Sequence, residues 1–155
     1  MASLTARAAA GLRRDGLLAN RAVVHLSTNR HKPGYQRLSR TLNFSRPTAD
    51  TGQLISELVA ATGTGFNPRT SYHRVNVLLY DLINAERWQA ELFAPSEPMA
   101  TAQARMTAVD GLNARYGPNT VRYAAEELSQ AWQPKRGHRN PNYVSDWDEL
   151  PVLHA

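Results

Sequence analysis

The sequence predicts an α+β fold: a small antiparallel-rich sheet with helices on one face, followed by a small, mostly helical C-terminal segment with an extended tail. Three observations carry the prediction. Residues 21–29, 35–46 and 72–82 alternate apolar and polar side chains, the period of a half-buried strand. Residues 51–62 and 102–112 repeat apolar side chains at helical spacing. Gly, Pro, Asn and Asp punctuate the chain between these segments.

The elements follow in order. Leu4, Ala8, Leu12 and Leu17 recur near helical spacing, so a first helix runs to about Asp15 and Gly16 stops it. Met1 to Arg14 is also Ala- and Arg-rich without an acid, as mitochondrial presequences are, but the spacing favours an ordinary helix. Residues 21–29 set Ala22, Val24 and Leu26 against Val23, His25 and Ser27, which reads as a strand. A turn-rich connection spans residues 29–34. Residues 35–46 then send Leu38, Leu42 and Phe44 one way, and Tyr35, Arg37, Ser39, Thr41, Asn43 and Ser45 the other. The two strands make a hairpin with one polar, Arg-bearing face, and Arg40 falls on its apolar side, where its stem can snorkel to the edge.

Residues 47–51 end that strand and supply capping side chains for a helix through about Thr62, with Leu54, Ile55, Leu58 and Val59 as its apolar stripe. After a flexible Gly63-Thr64-Gly65, residues 72–82 form the strongest strand, with Val75, Val77 and Leu79 opposite Arg74 and Asn76. The order helix, strand, strand, helix, strand is a split βαβ-type unit without its first strand. A tether covers residues 86–98, and Ala102, Met106, Val109 and Leu112 then mark a helix that Gly117-Pro118 ends. Residues 120–124 are expected as a short strand. From Trp132 the chain is Pro-, Arg- and Asn-rich, with Tyr143 and Trp147 spaced to anchor an extended tail. The domain expectation is therefore residues 1–86, a linker at 87–98, and a second unit at 99–155.

A chain of 155 residues, 42% hydrophobic and 20% charged, suits one or two small globular domains and not a disordered tail. No run nears the roughly 18 apolar residues a membrane span needs, and no membrane partner is expected. Without cysteine, disulfides and thiolate metal sites are excluded. The net charge of +5 is uneven: residues 1–46 hold nine Lys/Arg against Asp15 alone, whereas residues 47–155 hold nine against twelve acids. Sixteen of the eighteen cations are Arg, the side chain fitted to bidentate phosphate contact. A basic half beside a mildly acidic half points to a nucleic-acid face and a separate protein-contact region.

His25, His31, His73, His138 and His154 show no helical pairing or carboxylate at ligand spacing, and Gly63-Thr64-Gly65 lacks the ending of a phosphate loop. No metal, cofactor or catalytic constellation is expected. The polar hairpin face is the nucleic-acid candidate. Arg37 and Arg74 can pair with phosphate oxygens while Ser39 and Thr41 hydrogen-bond to them, and His73 lies beside Arg74. Such contacts hold DNA without reading its sequence. A second candidate is Leu92 beside Phe93 on a tether bounded by Pro95 and Pro98, an anchor suited to a groove on a partner.

The pentapeptide Gln89-Ala90-Glu91-Leu92-Phe93 resembles the sliding-clamp-binding motif of bacterial DNA polymerases, in which Gln bonds at the groove rim and Leu-Phe is buried. Ala90 stands where that motif has an aliphatic residue, which implies a weakened anchor. Nearly the whole chain resembles the C-terminal part of the UmuC-type Y-family DNA polymerases: residues 35–42 leading into 47–51, the strand 72–82, the clamp motif, then residues 110–117 and 140–152. That resemblance implies a little-finger domain missing its opening strand, with a C-terminal accessory domain after it. It also implies DNA and sliding-clamp binding in translesion synthesis and the SOS response, a bacterial cytoplasmic (nucleoid) setting, and a UmuD-type subunit and a recombinase filament as further partners. The palm carboxylates that hold two metal ions in such a polymerase would lie before Met1. The chain is thus expected to be a non-catalytic fragment, with one half of a split polymerase and an inactive remnant as the alternatives. Asn76, where the family prefers Gly, adds a side chain to the face meant for DNA.

Overall fold

The computed structural model describes residues 1–88 and 99–126. Helix α1 (Ala2–Arg14) leads into strand β1 (Leu17–Ser27), then β2 (Arg37–Thr48), helix α2 (Thr51–Gly63), strand β3 (Arg74–Asn84) and helix α3 (Met99–Tyr116); a 3-10 turn covers Ala124–Glu126. The α+β class expected from the alternation is the observed one: three antiparallel strands in the order β2-β1-β3, with α1 and α2 packed on one side.

The core is the face on which the alternation put Ala22, Val24, Leu26 and Phe44. These meet Ala9 and Leu12 of α1 and Leu54 and Leu58 of α2, and the two leucines of α2 are wholly buried. Truncating either to Ala would cost about 2–5 kcal/mol through lost transfer energy and the cavity left behind. The buried stripe of α1 is Ala2, Thr5, Ala9 and Leu12; Leu4 and Ala8 turn a little aside and line a shallow groove against Val75–Leu78 of β3.

Several expected boundaries and faces are corrected. β1 starts at Leu17, not Arg21, because Leu17 and Leu18 pair with Asn84 and Ile83 immediately after the Gly16 turn. Gly16 has φ +67°, a conformation that costs a side-chain-bearing residue about 1–2 kcal/mol. β2 runs on to Thr48 because it is an edge strand: only Asn20 of β1 faces residues 44–47, and the bulge accommodates Pro47 without a missing ladder bond. Val59 is 49% exposed, since the buried stripe of α2 holds Leu54, Ile55, Leu58 and Thr62 and Val59 lies about 40° beyond its Ile55 edge. Leu112 is likewise 43% exposed, while Met106 of the same helix is buried.

Residues 120–124 are not a strand. The Asn113 side chain takes both backbone groups of Val121, donating to its carbonyl at 3.0 Å and accepting from its N–H at 2.8 Å. Glu126 Oε1 accepts from the Tyr123 N–H at 2.9 Å. With those groups committed to side chains, no ladder can form. The tether at 89–98 and the tail from residue 127 lie outside the described residues.

Candidate nucleic-acid interface

Antiparallel register places the hairpin's polar residues in rows across the sheet surface opposite the helices. Arg37, Ser27 and Arg74 form the first row, Ser39, His25 and Asn76 the second, Thr41, Val23 and Leu78 the third, and Asn43, Arg21 and Tyr80 the fourth. Arg37, Ser39, Thr41, Asn43, Arg74, Asn76 and Leu78 are exposed, as is Arg21 of the central strand, while Val23, His25 and Ser27 are half-buried between them. Arg37 and Arg74 stand two strand spacings apart, about 10 Å at the backbone. Arg37 Nη2 lies 3.2 Å from His25 Nδ1, which steadies the guanidinium without neutralising it. Arg21 pairs with Asp81 at 3.4 Å, and Asp81 has a left-handed φ of +55°. The first two rows carry no acid, so cationic character concentrates at the Arg37/Arg74 end of the face.

Of the sequence-derived DNA candidates, Arg37, Ser39, Thr41 and Arg74 share this face. His73 does not: it precedes β3, exposed, with its backbone N–H donating to the Ser27 carbonyl at 2.8 Å. Gln89, Leu92 and Phe93 lie outside the described residues. Arg40, on the inner side, extends to the carbonyl of Thr64, the C-cap of α2, with both Nε and Nη2 donating. It serves the fold. His25 and Arg21 were not singled out as site residues; β1's alternation already put them on the outward side.

A second polar cluster, on the helical side, was not legible in the sequence. Arg13 forks onto Asp110 of α3, with Nε donating to Oδ2 at 2.6 Å and Nη2 to Oδ1 at 2.7 Å, while Nη1 donates to the Ala49 carbonyl and Thr51 Oγ1 at 2.8 Å. Asp50 Oδ1 caps α2 by accepting from the Gln53 N–H at 2.8 Å, and its Oδ2 accepts from Arg105 Nη2 at 2.6 Å. Tyr123 closes over Gly52, where an added Cβ would stand 3.0 Å from the ring. The hydrogen bond and the charge of Asp50 raise the pKa of Arg105. Burial, then the charge of Asp50, raises that of Tyr123. The cluster docks α3 on the helical side and leaves the sheet face open.

Among the described residues no group of three or more His, Asp or Glu side chains could hold a metal ion, and no helix is long and apolar enough to cross a membrane.

A helix-backed antiparallel sheet with an open face of arginines and hydroxyls is a little-finger-like module. Residues 1–92 match the impB/mucB/samB family C-terminal domain, and residues 103–153 match a domain of unknown function, DUF4113. The chain belongs to the impB/mucB/samB family and corresponds to the C-terminal part of UmuC-type Y-family polymerases, as its motifs implied. It is similar to Protein UmuC of Salmonella typhimurium (28% identical over 116 residues, 75% of this chain and 28% of that protein). It is also similar to Protein MucB of Salmonella typhimurium (29% over 105 residues, 68% and 24%) and Protein MucB of Escherichia coli (30% over 82 residues, 53% and 19%). The chain spans about a quarter of the length of these relatives.

Proposed function

We propose that this chain is a non-catalytic gripping part of a translesion DNA polymerase, acting in DNA repair and the SOS response in the bacterial cytoplasm. Residues 1–86 hold the DNA backbone, the linker 87–98 binds the sliding clamp through Gln89, Leu92 and Phe93, and residues 99–155 are an accessory domain. The observation that carries the reading is the sheet face: Arg37 and Arg74 across one row, with Ser39 and Thr41 beside them and α1 and α2 packed on the other side. Guanidinium and hydroxyl groups without a base-reading element suit phosphates of any sequence. The family implies a UmuD-type subunit and a recombinase filament as further partners. Two weak grips on one chain reinforce each other through effective concentration.

The test has two arms. Replacing Arg37 and Arg74 by Ala should weaken duplex binding equally across sequences and lower the salt slope by about two, one per lost phosphate contact. Replacing Leu92 and Phe93 by Ala should abolish binding to the sliding clamp in a sedimentation or polarisation assay. Unchanged binding in either arm removes that grip from the proposal.

The free edge of β3 favours a second reading. Among the described residues β3 pairs with β1 alone, exposes Leu78 and Leu82, and borders the groove under Leu4 and Ala8. An open edge of this kind accepts another strand, and on this reading the chain is one part of a polymerase completed by a catalytic part that contributes that strand. Primer extension by a mixture with such a part, absent from either alone, would establish it; the inactive remnant predicts a broad, non-cooperative melt instead.

A further inference from the structure

The loops at the Arg37/Arg74 end of the domain form a surface that the sheet-face reading does not use. Residues 28–36 join β1 to β2, residues 64–73 join α2 to β3, and both emerge at the same end of the sheet. Thr70 Oγ1 donates to Gln36 Oε1 of the other loop at 3.5 Å, and the His73 N–H ties the second loop to the end of β1 by donating to the Ser27 carbonyl at 2.8 Å. Each is also internally braced. The Gln36 N–H donates to Thr28 Oγ1 at 2.9 Å, the His31 N–H to Asn29 Oδ1 at 2.9 Å, and the Arg69 N–H to Asn67 Oδ1 at 3.0 Å.

Charge and aromatic surface coincide on these loops. Residues 16–49 and 58–80 contain no Asp or Glu, and the loops present Arg30, Lys32 and Arg69, all exposed. The acids of the described residues before the tether lie elsewhere: Asp15, Asp50, Asp81 and Glu86 gather toward the opposite end, and Glu57 sits on α2. Phe66 is stacked on Tyr72 with ring centroids 5.2 Å apart and 22° between planes, yet Phe66 remains 45% exposed. Tyr35, on the other loop, is 51% exposed. An exposed, pre-stacked ring has lost its conformational freedom before any ligand arrives, which favours binding. Rings among cations are the arrangement that holds unpaired bases: π-faces stack, and cations follow the phosphates.

We infer that this loop end is a second nucleic-acid site, for a single strand, with bases stacking on Phe66 and Tyr35 and phosphates held by Arg30, Lys32 and Arg69. It is separate from the duplex grip on the sheet face and does not depend on it. Paired bases keep their faces inside the duplex stack, so the aromatic contribution is confined to unpaired DNA.

The experiment uses the full chain and a 12-nucleotide oligo-dT carrying one 2-aminopurine, beside an abasic oligomer of equal charge and a blunt duplex. The wild type should bind oligo-dT saturably, change the 2-aminopurine emission, and bind the abasic oligomer at least tenfold more weakly. Phe66→Ala and Tyr35→Ala should each weaken oligo-dT binding about fivefold or more and leave the duplex affinity unchanged, while Phe66→Trp retains binding. Joint replacement of Arg30, Lys32 and Arg69 by Ala should lower the single-strand salt slope by about two. Replacing Arg37 and Arg74 should affect the duplex only, so the two sites fail separately. Equal affinity for the abasic oligomer, or unchanged oligo-dT binding by both Phe66→Ala and Tyr35→Ala, would overturn the inference. Tyr35 takes no part in the Phe66–Tyr72 stack, so its variant reports even where Phe66→Ala disturbs the loop.

Discussion

At the scale of single residues, Asp50 does two jobs with two oxygens. Oδ1 satisfies the Gln53 N–H at the start of α2, and Oδ2 receives Arg105 from α3. The Asp50 side chain is 9% exposed and that of Arg105 58% exposed, so an Arg105 left alone regains water and the ion pair itself contributes little. Loss of the cap dominates. Asp50→Ala should therefore destabilise the protein by about 1–2 kcal/mol in a urea titration, and Asp50→Ser, which keeps a capping oxygen, should recover most of it. Equal losses in the two variants would show that the cap is not the source. Tyr123 adds a pH dependence with a definite sign. Burial and then Asp50 raise its pKa, so the neutral phenol is favoured in the folded chain. A raised folded value contributes stability that is complete below the ordinary tyrosine pKa of about 10 and is lost as pH rises through the folded value. Stability should fall above about pH 10 in the wild type, and this part of the fall should be absent in Tyr123→Phe.

Among the elements, those whose periodicity matched a single buried face were legible. β2 and β3 alternate, and α2 places an Asp directly before its first turn. The misses have local physical causes. Residues 120–124 are not a strand because Asn113, eight residues before Val121 in the last turn of α3, takes the backbone groups that a ladder would need. Val59 continued the apolar pattern of α2 just past the edge of its buried stripe. Arg40 was legible in outline, as a cation on an apolar side that must reach out, but not its destination, 24 residues on. That destination gives a coupled prediction. Arg40 Nη2 would stand 2.5 Å from a Cβ at position 65, where φ is +105°. Arg40→Ala should cost about 0.5–1.5 kcal/mol by uncovering the Thr64 carbonyl. Gly65→Ala should cost more than backbone strain alone in the wild type, and less in an Arg40→Ala background. Additive losses in chemical denaturation would show that the two sites do not touch energetically.

For the whole molecule, the informative contact joins residues 97 apart. Arg13 is 15% exposed at its side chain and satisfies four acceptors, two of them on Asp110. Nothing in local sequence pattern marks one arginine among sixteen as the one that docks a later helix, which is why this cluster escaped a reading based on periodicity. Among the described residues, α3 occupies the helical side, and the sheet face, the loop end and the β3 edge carry no further element. α3 has little else to hold it: Met106 is its one large buried apolar side chain among the described residues. The polar cluster, rather than a hydrophobic seam, should therefore govern its docking. Replacing Arg13 by Met keeps the stem that lies beside the core and removes the fork. Amide hydrogen exchange should then show protection falling sharply through α3 and Val121–Glu126, while β1 and the buried turns of α2 exchange as before, because their protection derives from Leu54, Leu58 and Val24. Asp110→Asn should give a milder version, since the amide still accepts one bond, and raised salt should weaken wild-type docking more than that of Arg13→Met. Uniform loss of protection across the sheet would mean that Arg13 supports the core itself, and unchanged protection in α3 would mean that Met106 and Tyr123 suffice to hold it.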